Sequence, residues 1–187
     1  MFIRAVDEGL ERLLRATLPL AEDVGDIAFE PPTASWSATL SRLTVDLFLY
    51  DVGRSSRVVQ APVRRVDEDG RNQRRAPQPM IQLGYLVSAW AGSPRDEHQL
   101  LGDVLNRLAP MSELPAEYVP GTMNSRISLS VGDDENNRLR DIWSAAGGQL
   151  KASFTMQVIV AADAVDWIEE APSVTSVAGS AVPRPRS

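Results

Sequence analysis

The chain has 187 residues, a formal net charge of −6 and no cysteine. That length holds one sizeable core and is short for two; zero cysteines exclude disulfides, thiolate metal sites and a cysteine nucleophile. The acidic balance argues against general nucleic-acid binding, which needs a basic surface to neutralise phosphates, and no apolar run reaches the roughly eighteen residues of a membrane span. The start, MFIRAVDEGLERLLRATL, is amphipathic and carries Asp7, Glu8 and Glu11. It lacks the basic start and unbroken apolar stretch of a secretory signal, so a cytoplasmic protein is expected.

In chain order, residues 3–18 read as a helix with Val6, Leu10, Leu13, Leu14 and Thr17 on one face, ended by Pro19. A short strand is expected through Ile27 and Phe29, stopped by Pro31 and Pro32, and TASWSATLSR reads as a loop holding Trp36. Residues 44–52, TVDLFLYDV, alternate with apolar residues on both faces and predict a strand inside a sheet. The connection 53–79 is rich in Arg, Pro, Asn and Gln. Asp69-Gly70 suits a hairpin turn and Val58–Val66 one arm of a ribbon, so an ordered β-arm and a flexible loop are both compatible with it.

Residues 80–90, MIQLGYLVSAW, predict a central strand covered on both faces, and Ala91-Gly92 turn the chain. Ser93 is a candidate N-cap, with Pro94 at the first helical position and Asp96 and Glu97 in the first turn. Leu101, Val104, Leu105 and Leu108 then form the expected buried stripe of a helix lying on a sheet. Pro and Gly exclude a continuous helix over 109–126, and Ile127–Val131 reads as a short strand. Asp133 or Asp134 can cap a helix presenting Leu139, Ile142, Trp143 and Ala146, which Gly147-Gly148 ends. Residues 152–161 predict the last strand, and 171–187 a flexible tail. The expected fold is α/β: a single domain over 1–170, with a mixed β-sheet flanked by helices.

Chemistry is sparse. His98, the only histidine, lies in the first turns of a helix with no nucleophile motif near it, so a surface residue explains it better than a general base. Asp46 and Asp51 flank a strand; Asp51, at its end, stands where an α/β enzyme often places an acid, but a second acid at matching spacing is absent, and it is equally at home ending a strand or starting a turn. Asp133-Asp134-Glu135 is better explained as a helix start than as a metal cluster. No Gly-rich phosphate loop occurs, and neither metal nor cofactor is expected. The four Trp (36, 90, 143 and 167) read as core anchors. Charge is uneven: Arg54, Arg57, Arg64, Arg65, Arg71, Arg74 and Arg75 crowd one segment against Asp67, Glu68 and Asp69. Without interleaved aromatics to stack bases, this segment suits a solvated loop or a docking arm for an acidic protein partner.

The run LSRLTVDLFLYDV at 40–52, the segment LGYLVSAWAGSPRDEHQLLGDVLNRL at 83–108 and Leu-Arg-Asp-Ile-Trp-Ser at 139–144 resemble the N-terminal domain of the cap, or tail-terminator, protein of phage-tail-like contractile injection systems. Ser88 stands where that pattern has threonine, and the C-terminal tail lies outside it. The resemblance implies a tail-terminator-like fold and a structural role rather than an enzymatic one. It implies a homo-hexameric ring that ends and stabilises inner tube and sheath at the baseplate-distal end of the particle, with sheath and tube proteins as partners and neither nucleic acid nor membrane insertion. On this reading Arg57, Arg64, Arg65, Arg71, Arg74 and Arg75 are the candidate partner-binding residues, because arginine forks pair well with carboxylates. The alternatives are a baseplate or adaptor subunit of the same particle, and a small α/β enzyme or ligand-binding domain using Asp51, His98 and an arginine.

Overall fold

The computed structural model describes residues 2–56, 61–121, 123, 125–132, 138–162 and 166–170. In chain order its elements are α1 (Phe2–Thr17), β1 (Gly25–Ala28), α2 (Ala34–Ser37), β2 (Leu43–Arg54), β3 (Val63–Val66), β4 (Asn72–Arg75), β5 (Met80–Trp90), α3 (Pro94–Leu108), β6 (Ser128–Val131), α4 (Arg138–Ala146), β7 (Ser153–Ala161) and β8 (Ile168–Glu169). They group into two units, Met1–Val59 with Gln78–Asp163 and Gln60–Pro77 with Ala164–Ser187.

The larger unit is a five-stranded sheet in the order β1-β2-β5-β7-β6. β1 runs parallel to β2 and every other pair is antiparallel, so the sheet is mixed. The alternation read over 80–90 therefore gives the middle strand, and 44–52 gives its neighbour. β2 carries a bulge at Tyr50, between the Leu49–Tyr85 and Asp51–Gly84 pairs. The Tyr50 ring lies over Gly84, where an added Cβ would come within 3.0 Å of the ring. This close approach favours glycine in the middle strand, because a larger residue would have to push the Tyr50 ring aside.

One face of the sheet carries Val45, Leu47, Leu83, Tyr85, Val87, Met156, Val158 and Val160, all buried in a single core with Val6, Leu10, Leu13 and Leu14 of α1 and Leu100, Val104 and Leu108 of α3. Arg15, in the last turn of α1, donates to the carbonyls of Leu20 (3.1 Å) and Gly25 (2.8 Å), which ties the helix end to the start of β1. The other face carries Asp46, Leu86, Ser88, Thr155 and Gln157, also buried, with Trp143 of α4 over it.

Three expectations need correction. The buried stripe of α3 is Leu100, Val104 and Leu108; Leu101 is only partly buried and Leu105 is 37% exposed. Both rows recur at helical spacing, and the packing of the helix on the sheet buries the first. Leu108→Ala is therefore expected to cost about 2–5 kcal/mol, whereas Leu105→Ala should stay within about 0.5 kcal/mol. Urea denaturation of the two variants checks this, and equal losses would contradict it. Second, the segment read as a loop around Trp36 contains α2, whose Thr33 cap accepts from the Trp36 amide at 3.1 Å. Third, of the four Trp only Trp143 is fully buried; Trp36, Trp90 and Trp167 are partly exposed.

The helix ends behave as their residues dictate. Ser93 has extended backbone and its hydroxyl accepts from the Asp96 amide at 3.3 Å, with Pro94 opening α3. Gly147, at φ 71°, ends α4: its amide bonds Ser144 and that of Gly148 bonds Trp143, the paired bonds of a Schellman stop. The candidate cap at Asp133 or Asp134, and the tail 171–187, lie outside the described residues.

Candidate functional site

The arginine-rich connection builds the smaller unit. β3 and β4 pair antiparallel, Val63 to Arg75 through Val66 to Asn72. The turn between them is fixed by residue type. Asp67 Oδ1 accepts from the amides of Asp69 (3.0 Å) and Arg71 (2.8 Å), and Gly70 takes φ 79°, which favours glycine. Asp67 and Arg71 close the loop through the Asp67 amide and the Arg71 carbonyl at 2.9 Å. A third strand, β8, lies on the far side of β4, with Gln73 opposite Glu169 and Arg74 opposite Ile168. The expected ribbon is thus ordered at Val63–Val66; its anticipated start at 58–60 lies outside the described residues.

The pleat sorts the arginines onto two faces. On one, Arg65 and Arg75 both lie over the Trp167 ring, at 4.1 Å and 4.9 Å from its centroid. Arg65 also donates to Gln73 Oε1 at 3.0 Å, and Arg71 pairs with Glu169 at 2.7 Å. On the other face Arg64 reaches Glu170 at 3.3 Å while remaining 74% exposed. Arg74 makes no ion pair among the described residues. Arg57 lies outside them. Of the six candidates the structure therefore brings four onto one small sheet and a fifth, Arg71, to the turn that opens β4; all five meet the segment 166–170, Arg74 through its pairing with Ile168. Sequence reasoning missed that segment. The signal was present in Asp166-Trp167-Ile168-Glu169-Glu170, an acidic, aromatic-bearing run complementary to the arginines but far from them along the chain.

The residues of the enzymatic alternative do not converge. Thr44 pairs with Trp90, beside the start of α3, whereas Asp51 pairs with Gly84. At about 3.3 Å per residue that separates Asp51 from the His98 end of the sheet by roughly 20 Å. His98 and Asp51 are both exposed. Among the described residues no group of three or more His, Cys, Asp or Glu could hold a metal ion, and no helix is long and apolar enough to cross a membrane.

The larger unit also holds ionisable groups in settings that the sequence did not reveal. Lys151, the only lysine, pairs with Glu97 at 2.6 Å and lies 3.7 Å from the Trp90 ring centroid. Asp46 is fully buried. Its Oδ1 accepts from the Glu30 amide at 3.2 Å and its Oδ2 has no partner among the described residues. Burial, more than any neighbour, pushes its pKa up to about 8. Asp7 is likewise raised by burial, although the Tyr85 hydroxyl donates to it at 2.7 Å.

Comparison with known proteins places these features in a family. The fold matches a cryo-EM structure of an extracellular contractile injection system, the PVC sheath/tube terminator in the extended state, at 25% identity and TM-score 0.66, over 96% of this chain and 64% of that one. It also matches the anti-feeding prophage cap, a tube-terminating cap, at 18% identity and TM-score 0.64, over 94% of this chain and 60% of the other. The chain thus spans less than two thirds of either solved relative. No curated protein matches it. Residues 5–176 match the Pvc16 N-terminal domain, and the chain belongs to that family.

Proposed function

We propose that this chain is a terminator cap of a contractile injection system. One observation carries the reading: nearly the whole chain superposes on a sheath/tube terminator, within a family match over residues 5–176. The finer picture is a six-fold ring, assembled in the cytoplasm, that sits on the last layer of inner tube and sheath at the baseplate-distal end. A ring of identical subunits needs a heterologous interface, in which one patch meets a different patch on the neighbour. A growing polymer end exposes surfaces that keep recruiting subunits, so a terminator must match that end on one side and offer no copy of it on the other. Such a role requires surfaces and no catalytic group. Arg57, Arg64, Arg65, Arg71, Arg74 and Arg75 are the residues assigned to partner contact.

Negative-stain electron microscopy of particles from cells lacking this gene tests the role. Sheaths of uncontrolled length, or tubes that retain no sheath, are expected. Particles of normal length that still contract would refute the capping role.

A further inference from the structure

The small sheet has an open edge. In the order β3-β4-β8, β3 is terminal, and no described strand pairs its outer side. The bond between the Asp67 amide and the Arg71 carbonyl sets the phase of the antiparallel ladder. Val63 and Arg65 then bond β4, while the N–H and C=O groups of Arg64 and Val66 point outward. The bond from the Glu170 amide to the Asn72 carbonyl (2.8 Å) agrees with this phase on the other side of β4.

Resting on the terminator reading, we propose that β3 accepts an extended, acidic segment of another protein of the particle as an added strand. The side-chain chemistry beside the edge narrows the occupant. Arg64, Val66, Arg74 and Ile168 share one face, with Val66 63% and Ile168 52% exposed. A strand laid along β3 places alternate residues over Arg64 and Val66, which calls for an acid and an apolar residue two positions apart. The sheet already takes one strand of that pattern. On the β4 edge, β8 presents Ile168 and, two residues later, Glu170, whose carboxylate meets Arg64. β3 and β4 carry four arginines and no acid, so a basic strand is repelled from the open edge while an acidic one is drawn to it. Backbone bonds supply the attachment, and the arginines select the partner.

Val66→Pro tests this directly. It removes an outward N–H that β4 does not use, keeps every arginine, and puts the ring where an added strand would lie; edge strands tolerate proline. Val66→Thr is the control. Particles from cells carrying Val66→Pro should show about tenfold fewer caps by electron microscopy, as loss of one well-placed interaction permits, while Val66→Thr particles stay capped. Normal capping with Val66→Pro overturns the proposal. Because that variant can lose β3 itself, a second measurement stands beside it. The chain has no cysteine, so Val66→Cys carries a unique thiol for a benzophenone maleimide. Photolysis of assembled particles should join it to an acidic segment of a different particle protein. An adduct to a second copy of this chain, or none, overturns the inference. The deletion experiment separates the two failures: if deletion lengthens sheaths but neither test at Val66 responds, the capping role stands and only strand addition falls.

Discussion

Asp46→Asn is expected to stabilise the protein at pH 9 and to flatten most of its stability profile between pH 4 and 8. Burial raises the folded pKa of Asp46 from 3.8 to about 8. Below pH 4 the carboxyl is protonated in both states and folding is not penalised. As pH rises through the window, the unfolded chain releases this proton and the folded chain keeps it. Stability therefore falls by about 1.4 kcal/mol per pH unit, toward a total of about 6 kcal/mol, and levels off above the folded pKa. The cause is local. The carboxyl sits on the sheet face shared with Ser88, its cross-strand partner, and with Glu30 close enough to add repulsion. One oxygen accepts a backbone amide and the other accepts nothing among the described residues. Asparagine keeps the acceptor for Glu30 and replaces the unpartnered oxygen with an amide, at a desolvation cost of about 1–3 kcal/mol that does not change with pH. Urea denaturation from pH 5 to 9 should show wild type losing stability and the variant nearly level. Asp7, which burial shifts in the same direction, contributes a slope of the same sign to both proteins. Parallel profiles would contradict the assignment.

How far the sequence disclosed this molecule depends on how local each signal is. Ser93, Pro94, Asp96 and Glu97 cap α3 within one turn, so the helix start was legible. So were β2 and β5, whose alternation is written in consecutive residues. The face of α3 was not, because Leu100–Val104–Leu108 and Leu101–Leu105 are rival rows, and only the sheet beneath decides between them. α2 has four residues, less than one period of a pattern worth reading, and only its cap at Thr33 announces it. β8 has two, and exists because β4 offers it an edge. The candidate site divides the same way. The arginines of 64–75 stood out by composition, and Asp67 and Gly70 fix their turn locally. That Arg65 and Arg75 lie over Trp167, and that Arg71 and Arg64 face Glu169 and Glu170, requires the chain to return after roughly a hundred residues, which no window of sequence contains. The burial of Asp46 is equally non-local: its own strand shows an acid among apolar residues, and the cover comes from elsewhere.

Trp143→Ala is the second large effect expected, a loss of about 3–5 kcal/mol, or roughly 10 °C in Tm for a chain of this size. The residue is 1% exposed, the largest fully buried side chain described. Its indole N–H donates to Ser153 Oγ at 2.9 Å, which fixes α4 against the first residue of β7. Its ring is tilted against Trp90 at 6.2 Å between centroids, and Trp90 meets Trp36 edge to face at 5.4 Å. Truncation therefore empties the middle of the cover over this face and leaves Trp90 without one of its two aromatic neighbours. Trp143→Phe separates packing from hydrogen bonding. It removes the N–H but keeps most of the ring, and Ser153 retains its bond to the Lys151 carbonyl at 3.2 Å, so a loss nearer 1 kcal/mol is expected. A double-mutant cycle between Trp143→Ala and Trp90→Ala should return a coupling of about 0.5–1.5 kcal/mol, because the rings touch. Additive losses would mean that the two tryptophans act independently. Trp143 would then cover the second face through its own packing and its bond to Ser153, instead of as one of a row of three aromatic rings spanning α2, β5 and α4.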